Sequence, residues 1–169
     1  MRKAVFGIAS ELQADEILNR LKLAGFSTND VSILVPSGTR DLAHEAHTKA
    51  PEGATTGAGT GGVLGGALGW LVGIGAIAIP GLGPFIAAGP IMAALSGAAI
   101  GAAVGGITGA LAGMGVPAYE AKLYEDKVRE GSILISVHTE NADERSRARE
   151  IFQRAGAHHV SDTSEARAA

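Results

Sequence analysis

Short apolar runs and helical stripes alternate at both ends of the chain, and a long uncharged stretch separates them. Residues 4–8 are apolar throughout and predict a strand. Ser10 then stands at an N-cap, with Gln13 three residues on to complete a capping box. Ala14, Ile17, Leu18, Leu21 and Ala24 follow at helical spacing, and Gly25 sits where a helix stop is wanted. Residues 31–35 predict a second strand, closed by Pro36, Ser37 and Gly38. The C-terminal end repeats this order. Ile133, Ile135 and Val137 share one face of a strand over 133–137, and Asn141 and Glu144 form a cap pair. Ala148, Ile151, Phe152 and Ala155 make the next helical stripe, Gly156 is its stop, and 158–162 is a weaker final strand.

Each end therefore reads as one βαβ half, over residues 1–38 and 132–162, followed by a tail over 163–169. Neither half covers its own sheet face. Together they predict an α+β fold, a ferredoxin-like split βαβ domain whose four-stranded antiparallel sheet carries two helices on one side. Leu134, Ser136 and His138 lie on the strand face opposite Ile133 and Ile135, and either face could be the covered one. Connecting helices over 39–52 and 117–131, the latter with Pro117 at its first position, join the middle of the chain to this sheet between strands two and three.

The middle, 53–116, changes the picture. From 53 to 119 there are 67 residues without a charge, holding 20 of the 25 glycines. Gly53, Gly57, Gly61, Gly65, Gly69 and Gly73 stand four apart, as do Gly97, Gly101, Gly105, Gly109 and Gly113. Residues four apart share one helical face, so each run predicts a bare groove that lets two backbones approach closely. Between the runs, Pro80, Gly81, Gly83 and Pro84 predict a turn. The expectation is a glycine-zipper helical hairpin over 57–79 and 91–114, each arm about 34–36 Å long.

Energetics suggest where such a hairpin belongs. Glycine costs roughly 1 kcal/mol against alanine in a hydrated helix, so the nine between 57 and 75 would cost on the order of 7–9 kcal/mol. Lipid leaves the same backbone little alternative to helix. Each arm could cross a hydrocarbon layer of about 30 Å with some tilt. With both ends completing one sheet, the number of crossings is even, and Lys49 and Lys122 place the α/β domain in the cytoplasm. The uncharged turn also allows a re-entrant wedge. Against lipid stand the modest hydrophobicity of Ala and Gly and the position of Trp70 in mid-segment, with only Phe85 and Tyr119 where interfacial anchors would sit. The expected partners are a second copy of the chain and membrane lipid, at the cytoplasmic membrane; the alternative is a cytoplasmic soluble shell, ring or filament with its hairpins buried against one another.

Composition narrows the chemistry. The chain of 169 residues has a net charge of −3 and no cysteine. Thiolate metal sites and Cys nucleophiles are excluded, and the charge gives no reason to expect nucleic acid. The basic first residues lead into no apolar run of signal length, so no cleaved targeting peptide is expected. Gly57, Gly59 and Gly62 match G-x-G-x-x-G, yet Pro51 and Glu52 precede them and no carboxylate follows until Glu120, so the zipper explains them better than a dinucleotide does. His44 and His47 are i, i+3 on a helix but do not make H-E-x-x-H, and His158 and His159 point to opposite strand faces. Lys122/Asp126 and Glu125/Arg129 read as a solvated helix face. Arg145, Arg147, Arg149 and Arg154 interleave with Asp143, Glu144 and Glu150 and read likewise. No catalytic, cofactor-binding or metal-binding residue is assigned, no cofactor is expected, and the chain is read as a non-enzyme.

Two stretches carry a resemblance. Gly115, Val116, Pro117, Ala118, Tyr119, Leu123, Tyr124, Val128 and Gly131, leading into Ile133–Val137, form one; Ala24, Gly25, Phe26, Asp30, Val31 and Ile33 form the other. Together they resemble the bacterial general stress protein family, which includes heat-induced and low-temperature-induced proteins. The resemblance covers roughly 3–38 and 60–162; residues 39–51 depart from the pattern. It implies a small α/β domain interrupted by a Gly/Ala-rich segment and a stress-linked role, and it supplies no catalytic residues. The expected function is thus a stress-associated structural protein that self-assembles through its glycine-zipper hairpin. A third possibility is a regulatory α/β module holding a small ligand over an open sheet face.

Overall fold

The local signals at both ends translate directly into structure. The computed structural model describes residues 3–36, 70–71, 74–79, 83–91 and 99–164. Strand β1 (Lys3–Ala9) leads into helix α1 (Glu11–Leu23), a 3-10 turn (Thr28–Asp30) and strand β2 (Val31–Pro36). Strands β3 (Gly75–Ile79) and β4 (Gly83–Ala88) follow, then helices α2 (Ala99–Gly113) and α3 (Ala118–Arg129). Strand β5 (Ile133–Thr139), helix α4 (Ala142–Arg154) and strand β6 (His158–Ser164) complete the described elements.

The capping box closes α1 in both directions. Ser10 N donates to Gln13 Oε1 at 2.9 Å, and Gln13 N donates to Ser10 Oγ at 3.3 Å. At α4, Glu144 N donates to Asn141 Oδ1 at 2.8 Å. The four helices named above end in the same paired main-chain bonds. After α4, for example, Ala157 N reaches Phe152 O and Gly156 N reaches Gln153 O. Gln13 Nε2 in turn donates to Gly156 O at 3.1 Å, joining the start of the first half to the helix stop of the second.

The six strands form one antiparallel sheet in the order β3-β4-β2-β5-β1-β6. The strands of the two charged ends contribute the run β2-β5-β1-β6. The expected sheet of four strands is therefore enlarged by two that come from the uncharged middle. Residues 75–79, expected as the end of a helix, are a strand: β-branched Ile77 and Ile79 alternate with Ala76 and Ala78, a pattern of period two. The reversal expected around Pro80, Gly81, Gly83 and Pro84 joins two strands instead of two helices, and Gly83 and Pro84 are the first residues of β4.

Both sheet faces are covered, where a cover on one side was expected. On one face Val5, Ile33, Ile135 and Val137 pack with Ile17, Leu18 and Leu21 of α1 and with Ala148 and Phe152 of α4. On the other, Phe6, Ile8, Leu34 and Leu134 pack with Ile107 and Leu111 of α2 and with Ala121, Tyr124 and Val128 of α3. Strands β1 (past Lys3), β2 and β5 are consequently buried on both sides along their lengths. Ser136 is fully buried despite its polarity. The central strands β1, β2 and β5 thus present no open face among the described residues, apart from Lys3.

Candidate functional site

The candidate site read from the sequence is the set of four-spaced glycines. Gly57, Gly61, Gly65, Gly69, Gly73 and Gly97 lie outside the described residues, as do Gly53, Pro80 and Gly81 and the expected helix over 39–52 with His44 and His47. Gly101, Gly105, Gly109 and Gly113 lie on α2. That helix is broken at Gly106, whose φ of 57° and ψ of −138° are non-helical, so within 99–113 the arm expected to run straight is two shorter pieces. After the break, Ile107, Ala110 and Leu111 turn toward the sheet and are buried. The opposite side carries Gly109, half-buried, with Ala112 and Gly113, both exposed. A Cβ built at Gly113 would meet no atom within 4 Å. The outward side of these last turns thus has no charge and no side chain larger than a methyl group.

Residues 70–71, 74–79 and 83–91 belong to the α/β body more than the sequence suggested. Leu71 is buried and Trp70 partly buried against the α1/α4 side of the sheet. Phe85, expected as an interfacial anchor, is 2% exposed in β4 and packs under α2 and α3. Tyr119 is exposed. Among the described residues, no helix is long and apolar enough to cross a membrane.

The polar groups are mostly structural. Lys122 reaches Asp126 at 3.4 Å as the i, i+4 spacing suggested. Glu125 departs from the expected solvated face. It is buried, accepts a hydrogen bond from Thr108 Oγ1 at 2.6 Å, and has Lys122 Nζ at 3.7 Å. This contact locks α3 to α2. The arginine row on α4 is satisfied locally: Arg145 and Arg149 reach Asp162 at 3.5 and 3.4 Å, Arg154 reaches Glu150 at 2.6 Å, and Arg147 lies over the Phe26 ring at 5.6 Å.

Tyr124 is buried and held at its hydroxyl. Its ring stacks near Phe6 with centroids 6.0 Å apart, and its hydroxyl donates to His159 O at 2.7 Å while accepting from Ser161 Oγ. Burial pushes the phenol up to about 12, against the Ser161 hydrogen bond, which lowers it; the Glu120 carboxylate adds to the rise. Ser32 Oγ accepts from Ile91 N at 3.2 Å, which fixes the chain as it leaves β4.

A cleft of about 680 Å³ opens at the end of the sheet where β1 leaves for α1. Ile8, Val35 and Ile133 form its apolar floor, and Glu11, Glu130 and His158 stand on its walls. No group of three or more His, Asp or Glu side chains is arranged to hold a metal among the described residues. No protein-family model, curated protein or solved structure matches this chain.

Proposed function

We propose that this chain is a non-enzymatic, stress-associated assembly protein, in which a ferredoxin-like α/β platform presents a glycine-spaced, uncharged segment to copies of itself at the cytoplasmic membrane. The platform reading rests on the strand order β6-β1-β5-β2 with α1 and α4 on one side, the arrangement that two βαβ halves produce when they interleave. The observation that carries the assembly reading is the outward side of α2. A helix that ends its packing at the sheet normally turns charged residues to water. Here that side is Gly109, Ala112 and Gly113 within an uncharged stretch, which suits close contact with another backbone.

The second reading is an assembly without lipid. It is favoured by the burial of Trp70, Leu71, Ile79 and Phe85 in the α/β body, which shortens what remains of the middle for crossing a bilayer. Light scattering on the purified full chain, with and without detergent, tests the common core of both. Gly65→Leu and Gly105→Leu should each lower the particle mass; an unchanged mass in both defeats assembly through these glycines. Carbonate extraction of cell membranes separates the two settings, since lipid-embedded protein stays in the pellet and a soluble particle is released.

A further inference from the structure

The two edges of the sheet are built differently. At one edge, β6 has the sequence HHVSDTS, a register irregularity opposite Phe6 and Ile8 of β1, and a left-handed residue at His159 (φ 52°). Asp162 on this strand is held by Arg145 and Arg149. Charge and irregular pairing are the usual means of stopping an edge from adding another strand. Among the described residues the opposite edge is β3, whose sequence GAIAI has no charge or proline and keeps unbroken register with β4 from Gly75↔Ala87 to Ile79↔Gly83. Ala76 is exposed, and Ile77 and Ile79 face inward toward α2.

The direction of the main-chain groups follows from the pairing. In an antiparallel ladder, residues that bond the neighbouring strand alternate with residues whose N–H and C=O turn away from it. Ala78 faces Pro84, which has no N–H to give. A proline is tolerated where the ladder asks for no donor. This assigns Gly75, Ile77 and Ile79 to the bonds with β4, and Ala76 and Ala78 to the outer edge. The same alternation puts Pro36, opposite Phe85, where β4 needs no donor from it.

The geometry points to β3 as a self-pairing edge: a second copy of the chain adds its own β3 antiparallel to this one, joining two six-stranded sheets across a two-fold axis. An extended strand with outward donors and acceptors at two-residue spacing is recognised by another such strand, and an uncharged one carries no repulsion against its own copy. This interface deepens the assembly reading and rests on it, but it uses different residues from the glycine groove.

The test measures the mass of the full-length protein for Ala76→Pro, Ala76→Lys, the combined Gly65→Leu/Gly105→Leu variant, and all three glycine and edge changes together. Proline at 76 removes one outward donor without touching the β4 ladder, and lysine places a charge on the edge. Either should halve the particle mass with an unchanged circular dichroism spectrum. The glycine variant should remain a dimer, and the combined variant should be a monomer. A wild-type mass in both Ala76 variants overturns edge pairing and leaves the glycine reading standing. A wild-type mass in the glycine variant overturns the glycine reading and leaves the edge. As a direct check, the absence of native cysteine allows a single nitroxide at Ala76→Cys. Strong dipolar broadening between labels is expected, and its absence in the assembled protein also overturns the edge.

Discussion

The Tyr124 hydroxyl holds the main-chain carbonyl of His159 at 2.7 Å, so a helix on one face of the sheet fastens the irregular start of its edge strand. Ser161 shares the same hydroxyl. Tyr124→Phe removes both contacts while keeping the ring against Phe6. The expected cost is about 1–3 kcal/mol, because the partners are left partly unsatisfied. Urea unfolding reads this as a lower midpoint with an unchanged slope, and hydrogen exchange should quicken in β6 before any other strand.

The same phenol makes stability fall in alkali. It is neutral when protonated, and folding raises its pKa from the ordinary value near 10 to about 12. The folded state therefore holds this proton more tightly, and the contribution is complete below about pH 10 and lost as pH climbs toward 12. A rise of this size corresponds to roughly 3 kcal/mol. Unfolding midpoints measured from pH 9 to 12 should drop in the wild type, and Tyr124→Phe should lose this part of the slope.

Gly89→Ala should be among the most damaging single-methyl changes. Gly89 follows β4 with φ +78°, and a Cβ there would run into the carbonyl of Val31. Left-handed backbone costs a residue with a side chain roughly 1–2 kcal/mol, and forced overpacking about 1–3 more. A loss of about 2–5 kcal/mol is expected by denaturant titration.

Thr108→Val tests the tie between α2 and α3. The change keeps the shape of the side chain but removes the donor to the buried Glu125 carboxylate. A loss of about 1–3 kcal/mol is expected, with Thr108→Ser recovering most of it. Equal stability of the valine variant and the wild type would mean that Lys122 alone satisfies Glu125.

The ends of the chain were readable because their signals are local. Ser10 with Gln13, Asn141 with Glu144, and the glycine after each helix fix boundaries through bonds within a few residues. What the pattern did not reveal was the second layer of helices. The clue was present in β1, where Val5, Phe6 and Ile8 occupy both faces and so demand cover on both. In β5, Ser136 and His138 disguised the same demand, since their alternation with Ile135 and Val137 mimics a face turned to water. Residues 75–79 were misread for a different reason. The four-residue glycine spacing upstream was extended through Gly73 into a segment whose isoleucines already alternate by two. The candidate glycines were legible as a pattern, but the break at Gly106 was not, because one glycine in a run of them carries no mark of its own conformation.

Strand β1 lies between β5 and β6, so its two neighbours follow it by more than a hundred residues along the chain. Lys3 pairs with both Thr139 and Ser164. On a ribosome β1 has neither neighbour until residues 133–164 have emerged, and the uncharged middle is translated during that wait. Contacts this distant in sequence close slowly. Newly made chains should therefore depend on holdase chaperones, and conditions that exhaust those chaperones would set how much of the protein matures.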